Sequence, residues 1–408
     1  MKSPLLPIFL IVAVDVLGYT IILPLLPFFA EKLGASPAVV GLLVSVYAVC
    51  QLIAGPILGQ LSDRFGRKPL LLLSQIGTFA GFLILASANS LWLVLLSRAI
   101  DGFTAGNLTL AQAYISDVTP PHQRARAFGI IGIAFGMGFL VGPALSGFLS
   151  QFGYHYPIVA AAALSCISII ATAVILPGKR TMAESHPDTE GAPTGQRLSI
   201  LQWKRYAEYF RDPALGPLLW KFFGYVFSFS LFMGGFALFA ERRYTWNGHP
   251  WGPKEVGYVF AYSGLVGGTL QGGALGFLVK RFGERPLLAS SLLASAIGYV
   301  VLGWAYTIPL LLLSATIAAF GGVARPVATS LITQVVGRDE QGTVLGLTQS
   351  LTSAAQIVGP TIAGLLIEHR LLALWAMAAA AIAFAGWLVK MPSTPTSAHP
   401  AEVSLARD

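Results

Sequence analysis

No aspartate, glutamate, lysine or arginine occurs between Pro69 and Ser97, and between Ala127 and Gly178 only His155 interrupts a second run of this kind. Apolar helices of about 20 residues cross a hydrocarbon core of about 30 Å. Composition agrees: 11% of the residues are charged and 55% apolar, where soluble domains hold about 25% charged. The chain reads as an integral membrane protein, with the lipid bilayer as its main solvent.

Turns and charges divide it into twelve spans, roughly 5–30, 38–60, 69–88, 91–116, 126–149, 155–177, 215–240, 255–279, 286–306, 308–334, 342–367 and 370–390. The first is read as a retained helix, because its apolar run is too long for a signal peptide and lacks an A-x-A-like cleavage site. Cys50 and Cys166 fall inside spans, so no disulfide framework is expected. With both termini cytoplasmic, that side collects Lys2, Arg64, Arg67, Lys68, Arg124, Arg126 and most other basic residues, while the opposite side holds Lys32, Arg242, Arg243, Lys254 and Arg370. The positive-inside rule then sets the orientation. Because the positive charge is spread over membrane loops, the net charge of +8 is no nucleic-acid signal.

The sequence is written twice. Slid so that Gly59 meets Gly276, GQLSDRFGRKP (Gly59 to Pro69) falls on GFLVKRFGERP (Gly276 to Pro286). The same shift aligns Gly142-Pro143 with Gly359-Pro360, Gly147 with Gly364, Ser97 with Ser314 and Phe103 with Phe320. This predicts an all-α membrane protein of twelve transmembrane helices in two pseudo-symmetric six-helix bundles, residues 1–178 and 215–391, as in parallel-repeat transporters with a site at the midplane. Residues 179–214 join them. Their first part is polar and rich in Pro, Gly, Ser and Thr, and Ile200, Trp203, Tyr206 and Phe210 then recur at helical spacing. That suits an amphipathic helix on the membrane face or a solvated linker helix. Residues 392–408 form a cytoplasmic tail.

The loop at Gly59–Pro69 concentrates charge where the chain otherwise avoids it. Its basic residues can anchor at the headgroups, but anchoring does not account for Asp63 or for two glycines. Gly59 and Gly66 permit close approach or positive φ, and an aspartate beside a helix N-terminus is favoured by the dipole. Such parts suit a latch that forms in one conformation and breaks in another.

Gly59, Leu61, Asp63, Arg64, Gly66, Arg67 and Lys68 resemble motif A of the major facilitator superfamily. The resemblance implies a latch of the outward-facing state, in which Asp63 meets the start of the eleventh helix and Arg67 pairs with an acid ending the fourth, where Asp117 stands. In the second copy Lys280 and Glu284 replace Asp63 and Arg67, so a weaker or different latch is expected there. LSRAIDGFTAGN, Leu96 to Asn107, resembles motif B, which implies that Arg98 assists proton coupling; Asp101 stands where the usual pattern has glutamine. GFLVGPALSG, Gly138 to Gly147, resembles the antiporter-associated motif C, with Ser146 replacing a glycine. With DVLGYTIILPLLP, Asp15 to Pro27, these stretches are most similar to the tetracycline-resistance-type branch of drug/proton antiporters. Tetracycline exporters of that branch carry an intramembrane acid in the third and ninth helices. The matching positions here are Gly81 and Ser295, so tetracycline is not expected as a substrate.

Charged side chains inside spans cost about 2.5–3.5 kcal/mol each on insertion scales and call for a partner or a function. Asp15 lies mid-way in the first span, Arg98 and Asp101 in the outer half of the fourth, and Arg325 past the middle of the tenth. At 100° per residue Arg98, Asp101, Ala105, Thr109, Gln112 and Ser116 form one stripe, expected to face a cavity. Arg98 and Asp101, three apart, serve proton coupling or a permanent structural pair. Asp15 binds a proton or substrate, or else packs through a backbone bond. Arg325, beside Pro326 and after Gly321-Gly322, pairs with Asp15 or Asp101 or holds an anionic substrate group. Lys221 is expected to snorkel to the membrane surface.

Gly138, Gly142 and Ser146 have the small-xxx-small spacing of closely packed membrane helices, with Pro143 bending the fifth span beside Gly147. Packing accounts for them as well as an antiport role does. Tyr19, Phe223, Phe227, Tyr258 and Tyr262 are candidates to line an apolar cavity. A Walker-type phosphate loop and metal-ligand histidine spacing are both absent from the sequence, so no enzyme activity, metal or cofactor is expected and the proton gradient is the energy source. The expectation is a monomeric secondary transporter in a bacterial inner membrane, a proton-driven antiporter exporting a small amphipathic compound. A proton-coupled importer of a metabolite is the alternative; a receptor or scaffold on the same fold would need neither latch nor midplane charges.

Overall fold

The computed structural model describes residues 5–118, 124–176, 203–337 and 340–391; the side chains of residues 5–8, 116–118, 124–133, 135, 203–206 and 342, Asp117 and Trp203 among them, and the linker 179–202 lie outside the description. The described chain is a twelve-span helical membrane protein. The first three spans are Leu5–Lys32, Pro37–Phe65 and Arg67–Ala86, and the fifth and sixth are Arg124–Ser150 and His155–Ile175. A surface helix, Trp203–Arg211, leads into the seventh, Gly216–Arg243, where Gly216 lets the chain pass close under the Phe210 carbonyl. The ninth, eleventh and twelfth are Glu284–Gly303, Gln341–Glu368 and Leu372–Leu388. One hairpin of two-residue strands, Thr245–Trp246 and His249–Pro250, joins the seventh and eighth spans. Its Asn247-Gly248 turn has both φ values positive, at 49° and 82°, as a tight two-residue hairpin requires.

Three spans depart from continuous helices. The fourth is two pieces, Leu91–Thr104 and Asn107–Val118, and the tenth is Ile308–Gly321 and Ala324–Val335. The repeat shift carries the first break, Ala105-Gly106, onto the second, Gly322-Val323. The first break closes through Ala105 N–H to Gly102 O at 3.2 Å and Gly106 N–H to Thr104 O at 2.7 Å, and Ser74 of the third span braces it, its Oγ donating to the Thr104 carbonyl and accepting from the Gly106 N–H at 2.9 Å. The second break closes by the matching backbone turn, Gly322 N–H reaching Ala319 O at 3.1 Å and Val323 N–H reaching Phe320 O at 3.2 Å. The eighth span, Pro253–Thr269 and Leu275–Phe282, is joined by a π-turn at Leu270–Ala274.

The bundles touch at the end opposite the termini. There the Pro360 carbonyl lies against Gly41 and the Pro37 carbonyl against Gly364, so the eleventh span meets the second; the Pro143 carbonyl lies against Gly257 and Lys254 backbone against Gly147, so the fifth meets the eighth. At each glycine a Cβ would overlap or crowd the facing backbone. Ser45 Oγ adds bonds to Ile357 O at 2.5 Å and Thr361 Oγ1 at 2.8 Å. Arg242 reaches Glu31 at 2.6 Å, and Glu368 accepts from Ser36 Oγ at 2.9 Å and Ala38 N–H at 3.0 Å. One apolar core, from Ile21 and Val40 to Leu231, Ala363 and Trp375, runs through both bundles at this end. Towards the termini it divides into separate cores, one around Leu58 and Leu110 and one around Leu288 and Ile332. At Gly55, Gly268, Gly273 and Gly346 a Cβ would meet open space. The molecule is closed at one end and splayed at the other.

Candidate functional site

Asp15 turns into its own bundle. Its carboxylate accepts from Gln75 Nε2 at 3.4 Å, and the same Nε2 donates to Ser168 Oγ at 2.7 Å, which ties the first, third and sixth spans together. Gln75 and Ser168 are fully buried, and Gln75 Oε1 has no partner among the described residues. Arg98 and Asp101 form the expected pair at 3.3 Å, each side chain about 5% exposed, with Arg98 also reaching Ser97 Oγ at 3.4 Å. Arg98 Nε is left over. Asp101 packs against the third span at Gly81, where a Cβ would come within 3.1 Å of its own. Gly81 thus leaves the room that an acid from the fourth span takes.

The predicted fourth-span stripe does not persist. The break at Ala105-Gly106 takes the inner half off the outer half's register, so Arg98 and Asp101 are buried against the third span while Thr109 and Gln112 are exposed. Arg325 is exposed and has no carboxylate partner among the described residues. Lys221 corrects a second expectation. It does not snorkel: it is 2% exposed, and its Nζ donates to Gly386 O and Trp387 O, each at 3.1 Å, closing the last turn of the twelfth span. Cations are favoured at helix C-termini, and the site satisfies carbonyls that a helix end leaves over.

Among the aromatic candidates Tyr19 stacks on Tyr47 at 6.2 Å, Phe223 stacks on Phe227 at 5.5 Å, Tyr258 is exposed, and Tyr262 bonds Thr316 Oγ1 at 2.7 Å inside its own bundle. Sequence reasoning passed over Gln51, which reaches Tyr47 Oη at 3.4 Å and the Ala105 carbonyl beside the break at 3.5 Å, and it passed over Gln75 and Ser74. Their signal was present: amides and hydroxyls in otherwise apolar spans need partners as charges do.

The Gly59–Pro69 stretch folds as two helices hinged on Gly66, whose φ of +100° is matched by +81° at Gly283 in the second copy. Asp63 pairs with Arg67 one turn on, Arg67 also donates to Ser62 Oγ at 2.6 Å, and Ser62 Oγ donates to Gly59 O at 2.7 Å. Arg64 lies over the Phe65 ring at 5.6 Å. Lys68 Nζ donates to Ala173 O and Leu176 O, at 2.8 and 2.7 Å, at the end of the sixth span. Asp117 falls outside the described side chains. Its counterpart does not: the repeat shift carries Arg67 onto Glu284 and Asp117 onto Gln334, and Glu284 accepts from Gln334 Nε2 at 2.9 Å and from Ser330 Oγ at 2.8 Å.

The Gly138–Gly147 stretch faces two ways. Thr20 Oγ1 donates to Gly138 O at 2.8 Å and fills the space beside Gly142, fixing the fifth span to the first; Pro143 and Gly147 meet the eighth span in the other bundle. Ser146 is fully buried, and its Oγ has no partner among the described residues.

Comparison with known proteins places this arrangement. The family model described as Major Facilitator Superfamily matches residues 8–275 and 251–406. The chain is 31% identical to the tetracycline resistance protein, class C, of Escherichia coli, covering 86% of each chain. It is 32% identical to the class G protein of Vibrio anguillarum over 88% of this chain and 89% of that one, and 28% identical to the quinolone resistance protein NorA of Staphylococcus aureus (strain MRSA252) over 86% and 87%. Among solved structures, the human organic anion transporter MFSD10 (TETRAN) superposes with a TM-score of 0.70 at 23% identity, covering 94% of this chain and 98% of that one. The nucleoside transporter NupG does so with 0.72 at 16%, covering 95% and 98%. Those two likenesses concern the fold.

Proposed function

The chain belongs to the major facilitator superfamily, and on that footing we propose that it is a proton-coupled exporter of small amphipathic compounds, working by alternating access between its bundles. The relatives that support the reading are resistance proteins, for tetracycline, for quinolones and for several drugs. The observation that carries it is the charge balance of the first bundle. Asp15, Arg98 and Asp101 bring two acids and one base into a low-dielectric interior, so one negative charge is unmatched and one proton cancels it. A transport cycle needs a group whose charge changes between half-reactions, and this cluster supplies it.

With the end bearing the termini cytoplasmic, the conformation described is inward-facing. Substrate enters from the cytoplasm or inner leaflet past Thr109, Gln112 and Tyr258 towards Tyr19 and Arg325, while the cluster lacks its proton. The bundles then rock, the glycine contacts between the second and eleventh and between the fifth and eighth spans part, and substrate leaves as a proton arrives. The Gly59–Lys68 latch, with Asp117, holds the outward-facing state. The protein works as a single chain in a bacterial inner membrane, without a metal or cofactor and without catalysis. Gly81 and Ser295 carry no acid and Asp101 is turned to Arg98, so tetracycline–metal complexes lack the third- and ninth-span partners, and cells making the protein gain little tetracycline resistance.

The test is reconstitution into liposomes with an imposed pH gradient and a panel of amphipathic compounds, reading substrate and proton flux together. Opposite flows support antiport. Substrate moving in the same direction as the protons overturns it.

A further inference from the structure

The Gln75 amide is the polar group of the first bundle whose two ends are treated most differently. Its Nε2 serves Asp15 and Ser168, whereas its Oε1, equally buried, has no partner among the described residues. A buried acceptor left idle costs about 1–3 kcal/mol unless some state of the molecule uses it. The neighbour that changes state is Asp15. An ionised carboxylate only accepts hydrogen bonds, while a protonated one must also donate. A partner for both forms therefore has to hold a donor and an acceptor at nearly the same place, and a carboxamide does so by turning over about its last torsion. Ser168 can follow the turn, because a hydroxyl accepts from Nε2 or donates to Oε1 equally well.

The surroundings leave this task to Gln75 together with Ser168, whose hydroxyl also lies within hydrogen-bonding reach of Asp15. The nearest charges come from the fourth span, and they are engaged with each other as the Arg98–Asp101 pair. The sixth span contributes Ser168 and Ser165 but no Asp, Glu, Lys or Arg, the fifth has none from Ala127 onward, and the second has none between Pro37 and Ser62, only Tyr47 and Gln51. In the second bundle, where Phe232 stands for Asp15, Leu292 stands for Gln75. The amide and the acid are present together and absent together.

We propose that Gln75 is a positioning residue for proton coupling: it holds Asp15 in both protonation states, presenting Nε2 to the carboxylate and, turned over, Oε1 to the carboxylic acid. Loading moves one proton from water onto an Asp15 oxygen and unloading returns it; no other bond forms or breaks. The proposal rests on the reading of Asp15 as a coupling acid.

The test is pH-difference infrared spectroscopy of the full chain in lipid, with flux measurements on the same preparations. Wild type should give a carboxylic-acid C=O band that Asp15→Asn abolishes, together with a side-chain amide signal that moves when glutamine is labelled with ¹³C at its side-chain carbonyl. Gln75→Met should remove the amide signal and shift the acid band to higher frequency, because the acid has lost its acceptor. Proton-driven accumulation should fall about tenfold, the worth of one hydrogen bond to a charged group, while substrate exchange without a gradient stays within about twofold. Gln75→Leu, which copies Leu292, should do the same. An Asp15-dependent acid band with no labelled-glutamine signal in wild type overturns the proposal, and so does a pair of variants whose acid band does not shift. Loss of exchange and of accumulation in parallel in both variants also overturns it, as a purely packing role would give. Absence of any Asp15-dependent band removes the coupling role of Asp15 itself, and the proposal with it.

Discussion

Carried onto the second bundle by the repeat shift, the first bundle's polar interior vanishes. Asp15 becomes Phe232, Gln75 becomes Leu292, Ser168 becomes Ala385, and Arg98 and Asp101 become Ala315 and Ala318. The packing stays. Gly298 approaches Ala318 as Gly81 approaches Asp101, the fourth and tenth spans break at matching residues, and Gly283 turns as Gly66 does. Phe232 stacks on Tyr299 at 5.3 Å and on Trp375 at 6.2 Å, an apolar filling for the place where the other bundle keeps an acid. Among the described residues the repeat keeps the packing, while the acids in mid-span, Asp15 and Asp101, stand in the first bundle.

The sharpest way to break the comparison is to strand a charge. Arg98→Ala leaves Asp101 buried without its base, which should cost about 3–5 kcal/mol and remove most of the folded protein. The double variant Arg98→Ala with Asp101→Ala copies Ala315 and Ala318 and should recover the yield of monodisperse protein on size exclusion, though not proton coupling. Equal poor yields from single and double variants would mean that the bundles do not share their packing.

Closure should be symmetric even though chemistry is not. Gly41→Leu, against the Pro360 carbonyl, and Gly257→Leu, against the Pro143 carbonyl, both overfill a backbone contact. At about 1–3 kcal/mol for overpacking, each should shift the population from closed to open at that end by roughly ten- to a hundredfold. Distances between spin labels on the outer ends of the two bundles report it, and a shift in only one variant would refute the symmetry.

Smaller effects separate the helix-end lysines and the two latches. Lys221→Met leaves the buried Gly386 carbonyl and the half-buried Trp387 carbonyl without their donor and should cost about 1–3 kcal/mol in thermal unfolding, more than Lys68→Met, whose site is half-buried to exposed. Asp63→Asn should shift the resting population further towards the splayed form by a few-fold. Glu284→Gln should shift it less, since its partners Gln334 and Ser330 are neutral whereas Asp63 pairs with the charged Arg67. The same labelled pairs, placed at the inner ends, measure both.

Much of this was legible in the residues. Uncharged runs marked the spans because charge is expensive in lipid, and the shift from Gly59 to Gly276 showed two bundles because each must repeat its packing glycines. The Arg98–Asp101 pair followed from spacing alone. The helix breaks did not, since Ala105-Gly106 differs little from glycines inside intact membrane helices, and the first break is braced by Ser74 from another span. Lys221 was misread for a related reason: whether a lysine reaches water or a helix end is decided by the twelfth span, more than 160 positions away. Contacts between bundles, such as Glu368 on Ser36, have no local signature. Gln75 was overlooked because tallying charges passes over the amides that hold them.

The central claim is that proton coupling resides in the first bundle's cluster, and Asp15→Asn in proteoliposomes tests it most directly. Counterflow exchange and gradient-driven accumulation are measured on the same vesicles. The account predicts exchange within about twofold of wild type and accumulation lost by about tenfold or more, as expected when a single charge-assisted contact governs one half-reaction. Accumulation at the wild-type level, with protons still moving against substrate, would contradict it.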